Sequence, residues 1–243
     1  MVTLIPFGEK PNREGVHYAR KLLEKEGLLG EDVNIVDARN PETLSRLVPS
    51  DCCYVIGEHL ATYSIVGKLR PASLISVDAH TDLMHDYLDH GSWLAYSLEE
   101  HRVERAAVIA PVLMIPTTKR TELWTRRVRI YPALPRTRKT PRGWKSYLNL
   151  ANHGVDGVVE DAREYLGGDV YLTVDLDVLR PEYRIARFQH GELTLDELLE
   201  LLERVTKAFN VVAFDVAEVS DRIKRSRLGK EALIEVFRLL MEG

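Results

Sequence analysis

Short, continuous apolar runs alternate with longer, charge-rich amphipathic segments along most of the chain. The runs VTLIPF, VNIVDA, CCYVIG, SLISVD, AAVIAPVL, RVRIYPA, VYLTVD and VVAFDVAEV predict strands. Few of them alternate strictly, which suits strands covered on both faces. Helices are predicted in REGVHYARKLLEKEG, NPETLSRLVP, YSIVGKLRP, SWLAYSLEEHRVE, LTLDELLELLERVTKAF and GKEALIEVFRLLM. The fifth opens with Thr194 and Glu197, the spacing of a capping box. Strand and helix in turn give an α/β chain with a mostly parallel central sheet wrapped by helices. With no internal repeat, low-complexity tract or linker, the expectation is one domain over residues 1–243.

Composition narrows the partners. Of 243 residues, 45% are apolar, enough for a sizeable core, and the net charge of −4 gives no global reason to expect nucleic acid or an anionic membrane. The N-terminal apolar run is too short for a signal peptide, and no run of 18 apolar residues occurs, so the expectation is a cytoplasmic protein with no membrane partner. The only cysteines, Cys52 and Cys53, read as two buried thiols on a core strand. Residues 111–150 carry ten Lys/Arg against one acid, Glu122. Without interleaved aromatics this stretch reads as a solvated loop or subunit contact, with WTRRVRIYPALP as an edge strand entering a loop, and no nucleic acid is expected.

The chemistry concentrates in SVDAHTDLMHDYLDHG, residues 76–91, directly after an apolar run. In an extended chain, Asp78, His80 and Asp82 point to one side. Asp175 and Asp177 repeat the i, i+2 spacing after VYLTV. CCYVIGEHL ends in Glu58 and His59, and VVAFDVAEV ends in Asp215 and Glu218. A parallel sheet gathers four such strand ends on one edge, where open α/β sheets bind ligands. So many carboxylates repel one another unless cations neutralise them. Oxygen ligands with a minority of imidazole favour manganese or another borderline divalent ion, and four aspartates balance two such ions. Lone histidines such as His17, His101 and His153 read as ordinary surface or core residues.

VDAHTD followed by HG, then TVDLDVLRP, then FDVAEVS, resembles the ureohydrolase (arginase/agmatinase) superfamily. The resemblance spans about Tyr54 to Ser220, and DYL before His90 with LTLDELLELL looks most like archaeal agmatinase-type members. It implies a three-layer α/β/α fold and two Mn2+ ions per subunit. His59, Asp78, Asp82 and Asp175 would hold one ion, and His80, Asp78, Asp175 and Asp177 the other. The implied reaction is hydrolysis of a small guanidino substrate to urea and an amine by a metal-activated water. Asp82 would orient that water, His90 would shuttle the proton and Glu218 would pair with the guanidinium. Relatives are commonly trimers or hexamers, so a homo-oligomer is expected.

The chain departs from the family pattern around the substrate. IGEHL places Ile56 and Leu60 where the family has small residues. Arg180 stands where an aspartate is usual, away from the metal positions. RIARFQHGEL, with Arg184, Arg187 and His190, replaces the usual pocket loop. Only eight positions separate Asp82 from His90. That short loop favours agmatine over arginine, whereas Arg184 and Arg187 could attract a guanidino acid. Two other readings stay open: a one-zinc deacetylase-like hydrolase, and a paralogue of altered substrate or without turnover.

Overall fold

The computed structural model describes residues 1–84, 86–113, 126–140 and 143–242. In chain order its elements are β1 (Val2–Ile5), α1 (Lys10–Lys25), β2 (Val33–Ile35), α2 (Pro41–Leu47), β3 (Cys53–Ile56), α3 (Leu60–Leu69), β4 (Ser73–Val77), α4 (Trp93–Glu99), β5 (Arg105–Ile109), β6 (Val128–Tyr131), β7 (Thr137–Thr140), β8 (Gly143–Ser146), α5 (Leu150–Leu166), β9 (Asp169–Asp175), α6 (Leu195–Ala208), β10 (Asn210–Ala217) and α7 (Arg227–Glu242). Eight strands form one sheet in the order β2-β1-β3-β10-β9-β4-β5-β6. Every pairing in it is parallel, as the alternation of strands and helices predicts.

Helices cover both faces, giving three layers. One apolar cluster packs Val16, Leu23, Leu198, Leu202 and Val236 of α1, α6 and α7 against Ile75 and Val174. The other packs Leu44, Ile65 and Leu94 of α2, α3 and α4 against Ile56, Leu74 and Val108. Every residue of β3 and β4 is buried, which explains why their sequences run apolar without alternation. The capping box forms at the start of α6: Thr194 accepts from the backbone of Glu197, and the Glu197 side chain accepts from the backbone of Thr194.

Some expectations need correction. AAVIAPVL does not run its full length as strand. β5 stops at Ile109, where Ala110 turns to φ +73° and Pro111 offers no N–H. Cys52 precedes β3 and is exposed, so only Cys53 is a buried thiol; their sulfurs lie 3.3 Å apart. β6 is the edge strand expected from WTRRVRIYPALP. The basic stretch beyond it contains an antiparallel hairpin, β7–β8, that its sequence did not suggest. The rest of that stretch, residues 114–125 and 141–142, lies outside the described residues, as does His85. Among the described residues, no helix is long and apolar enough to cross a membrane.

Candidate metal centre and its cavity

β3, β10, β9 and β4 are consecutive in the sheet, so the segments that follow them meet at one edge. Glu58 and His59 come after β3, Glu218 after β10, Asp177 two residues beyond Asp175, the last residue of β9, and Asp78 to Asp82 after β4. His59, Asp78, Asp82, Asp175 and Asp177 are all buried.

Strand alternation is not what brings Asp78, His80 and Asp82 together. β4 ends at Val77, and Asp82 adopts a left-handed φ of +50°. Instead, Asp78 Oδ1 accepts from the backbone N–H of His80 at 2.7 Å, and Asp175 Oδ1 accepts from that of Asp177 at 2.7 Å. Each aspartate therefore closes its own turn with one oxygen. The second oxygens of both face the same imidazole: His59 Nδ1 lies 3.3 Å from Asp78 Oδ2 and 3.1 Å from Asp175 Oδ2. Asp82 Oδ2 is also 3.1 Å from that nitrogen. Beside this group, His80 Nδ1 stands 2.8 Å from Asp177 Oδ2 and 3.5 Å from Asp78 Oδ1. Two sets of ligand-capable atoms result, His59–Asp78–Asp82 and Asp78–His80–Asp177, each within 4.8 Å and sharing Asp78.

The fit to cations rests on one detail. His59 Nδ1 and Asp78 Oδ2 are buried and have no hydrogen-bond partner among the described residues, although three carboxylate oxygens surround the nitrogen. Buried polar atoms almost always find partners. Atoms that converge without hydrogen-bond alignment are arranged for something between them. Four buried carboxylates and two imidazoles form a donor set suited to borderline divalent ions.

Without ions, the cluster balances its charge with protons. Burial favours neutral His59, but Asp175, Asp78 and Asp82 outweigh it and hold its pKa well above the usual value. His80 is likewise pushed up to about 12, against its burial, chiefly by Asp177. Burial also favours protonation of Asp78, yet the two imidazoles keep its carboxyl below the usual range. Burial, with Asp78 beside it, raises Asp82 to about 7. Asp177 is raised well above the usual range by burial and by Asp175 and Asp78. A cluster of this kind would release protons on binding a cation.

Several supporting residues have weak sequence signals or none. His59 Nε2 lies 2.8 Å from Thr173 Oγ1, which donates to Asp215 Oδ1 at 2.6 Å. Thr173 had a legible signal, as a polar residue two before Asp175 in an apolar run. Asp215, one of the expected strand-end acids, does not line the cavity; it accepts from Thr62, Tyr171 and Thr173 inside the core. Trp93 Nε1 donates to Asp82 Oδ2, and its ring lies 4.8 Å from that of His59. Glu218 Oε1 accepts from the backbone N–H of His59 at 3.0 Å; burial and the nearby Asp175 raise its pKa to about 8.

The centre opens into a cavity of about 560 Å³ lined by His59, His80, Asp82, Asp175, Asp177, Glu218 and His90, together with Asn12, Glu58, Arg187 and Phe188. His90 is 54% exposed at the mouth, 3.9 Å from Glu58 Oε1, and stacks on Phe188. The 184–191 segment is pinned by the buried Gln189. Its Nε2 donates to the carbonyls of Leu176 and Leu179, and its Oε1 accepts from the backbones of Ile185 and Ala186. Arg187 reaches from this segment to Glu9 at 2.8 Å. Arg184 is exposed and does not line the cavity.

A family model described as Arginase family matches residues 42–241. The chain is 27% identical over 214 residues to an agmatinase of Pyrococcus horikoshii, an alignment covering 86% of this chain and 65% of that protein. It is 26% identical over 186 residues to the N(1)-aminopropylagmatine ureohydrolase of Thermococcus kodakarensis, covering 76% and 57%. The chain thus spans less than two thirds of the length of these curated relatives. Among solved structures, a hypothetical agmatinase from Burkholderia thailandensis superposes with a TM-score of 0.73 at 18% identity, covering 99% of this chain and 83% of that one. Proclavaminate amidino hydrolase from Streptomyces clavuligerus gives 0.67 at 21% identity, covering 98% and 91%, and both likenesses are of fold. Family match, fold and the arrangement of strand-end residues agree, and the chain belongs to the arginase family.

Proposed function

We propose that this chain is a binuclear manganese-dependent amidinohydrolase that releases urea from a guanidino compound, with an agmatine-like substrate favoured over arginine. The observation that carries it is the unpartnered His59 Nδ1 facing three carboxylate oxygens, beside a second acid–imidazole group. The relatives named agmatinase support the choice of substrate class.

His59, Asp78, Asp82 and Asp175 would hold one ion, and His80, Asp78, Asp175 and Asp177 the other. When bound, the ions supply charge neutralisation and an activated water at neutral pH. The chain's residues do the rest. Glu218 pairs with the planar guanidinium, for which a carboxylate fork is well matched. Asp82 orients the attacking water, and Trp93 keeps that carboxylate in place. His90, at the open mouth, carries a proton to the departing amine; an imidazole suits this near neutral pH.

The mouth argues against a carboxylate-bearing tail. Of the two arginines in the cavity wall, Arg39 and Arg187, Arg187 is already paired with Glu9. Glu58 adds a second acid to the same wall, and burial raises its pKa. A homo-oligomer (trimer or hexamer) in the cytoplasm belongs to the same proposal; the oligomer rests on the resemblance alone, and the location on the short N-terminal apolar run and the lack of a long apolar run. The test is a urea-release screen of manganese-loaded protein against agmatine, arginine and guanidino acids. Agmatine or a close analogue should give urea; silence across the panel, with two manganese per chain verified, sinks the reading.

A further inference from the structure

Asn12 stands in the wall of the cavity next to Glu218, in a segment that none of the metal-site motifs includes. It gets there through the sheet. β1 and β3 are parallel neighbours, so the segment after β1 lies along the one after β3, and the Gly57 N–H donates to the Ile5 carbonyl at 3.1 Å. The approach is close enough that a Cβ on Gly57 would meet the Phe7 carbonyl oxygen at 2.4 Å. Asn12 is itself buried, at 1% exposure.

The orientation of its amide follows from its neighbours. Nδ2 donates to the Gly57 carbonyl at 2.7 Å and faces Glu218 Oε2 at 3.4 Å. The carbonyl can only accept, so exchanging N and O would set oxygen against oxygen there, and the contact fixes the assignment. That leaves Oδ1 as a buried acceptor without a donor among the described residues. A native structure seldom leaves such an acceptor unpaired without a reason.

From these contacts we infer that Asn12 is a substrate-binding residue: its Oδ1 accepts an N–H from the guanidinium nitrogen that Glu218 does not reach, so the site selects guanidines over amidines. The inference rests on the guanidine reading above. A guanidinium carries three nitrogens in a planar fork, and one carboxylate engages two of them at most. The amide whose Nδ2 faces that carboxylate carries, in Oδ1, an acceptor for the third. Oδ1 is closed off from solvent, so a small shift of the amide accompanies binding. An amidine has the same charge and planarity but carries carbon where the third nitrogen would be. It leaves Oδ1 unpaired and is disfavoured for that reason.

Guanidinium and acetamidinium chloride, titrated calorimetrically into manganese-loaded full-length protein at matched ionic strength, test this. Wild type should bind guanidinium about tenfold more tightly or better, as expected when one partner of a buried hydrogen bond is removed. Asn12→Leu should bring the two affinities together, with the manganese content of the protein unchanged. A role confined to steadying Glu218 would weaken both probes equally and preserve their ratio, which overturns the inference. Equal affinities in wild type overturn it too, even if Asn12→Leu fails to fold. If wild type discriminates poorly but still releases urea from guanidines, Asn12 alone is misassigned. If it binds neither probe and yields no urea, the functional reading falls with it.

Discussion

Thr173 Oγ1 donates to Asp215 Oδ1 at 2.6 Å and stands 2.8 Å from Nε2 of His59. A hydroxyl has one hydrogen, and here it is committed to Asp215. The same oxygen must therefore accept from the imidazole, which keeps a proton on Nε2. Nδ1 becomes the ring atom that could release its proton and offer a lone pair to a cation. Asp215 anchors the relay with further hydrogen bonds from Tyr171 at 2.6 Å and Thr62 at 2.9 Å.

Replacing Thr173 with Val keeps the shape and removes the relay. We expect manganese affinity to fall about 10- to 100-fold, the usual effect of losing a partner that orients a metal-binding histidine. Calorimetric titration of the metal-stripped variant measures it, and an affinity equal to wild type would remove the relay from the account.

Metal retention and turnover should separate at two other positions. Asp175 Oδ2 faces His59 inside the buried cluster, whereas His90 is half-exposed at the mouth. Asp175→Ala should lose manganese and urea release together. His90→Asn should keep two manganese per chain, by elemental analysis, while turnover drops about 100- to 10,000-fold, the usual range for general acid–base groups. Release of metal from His90→Asn would show that its role is wrongly assigned, and one zinc per chain would favour the deacetylase-like alternative.

The sheet and the ligand-capable residues were legible because they depend on local pattern. Buried strands need apolar runs, and DAHTD and DLD are too acidic to be fillers after such runs. How they converge was not legible. Sequence alternation implied one extended ladder from Asp78 to Asp82, whereas each aspartate closes a tight turn and Asp82 takes a left-handed backbone. Asp215 had the same strand-end signal as Asp175 but faces the core. Side-chain direction at a strand end depends on where the strand stops, and short patterns do not specify that. Asn12 and Glu9 reach the cavity only because β1 lies beside β3, a pairing that no local pattern encodes.

The proton load of the metal-free cluster sets a pH dependence with a definite sign. Asp82 and Glu218 are raised from carboxylate values of 3.8 and 4.5 to about 7 and about 8. A raised group contributes stability below its unfolded pKa and loses it as pH climbs through the folded one. Metal-stripped protein should therefore lose thermal stability between about pH 4.5 and 8. His80, raised from 6.5 to about 12, extends the same trend upward. Manganese should reverse it, because binding displaces these protons and strengthens as pH rises. Thermal denaturation at pH 5, 6.5 and 8, with and without manganese, tests both halves. Stripped protein that is most stable at pH 8 would contradict the charge balance described for the centre.

The last prediction concerns the tail of the substrate. Glu9 holds Arg187 across the mouth at 2.8 Å, and Glu58 lies in the same wall. A tail ending in an ammonium group meets two acids and a guanidinium that is already neutralised. A tail ending in a carboxylate must compete with Glu9 for Arg187 and approach Glu58 as well. Changing Glu9 to Gln removes one repulsive charge and frees Arg187 in a single step. The ratio of kcat/KM for arginine to that for agmatine should then rise about two- to fivefold, mostly through a lower KM for arginine, since the ion pair is partly exposed and its contribution modest. Arg187→Ala should leave agmatine turnover within a few-fold of wild type and cancel the gain in the double variant. If arginine does not improve with Glu9→Gln, Arg187 is not the group that reads the substrate's far end, and selectivity must be set by other residues of the cavity wall, such as Glu58.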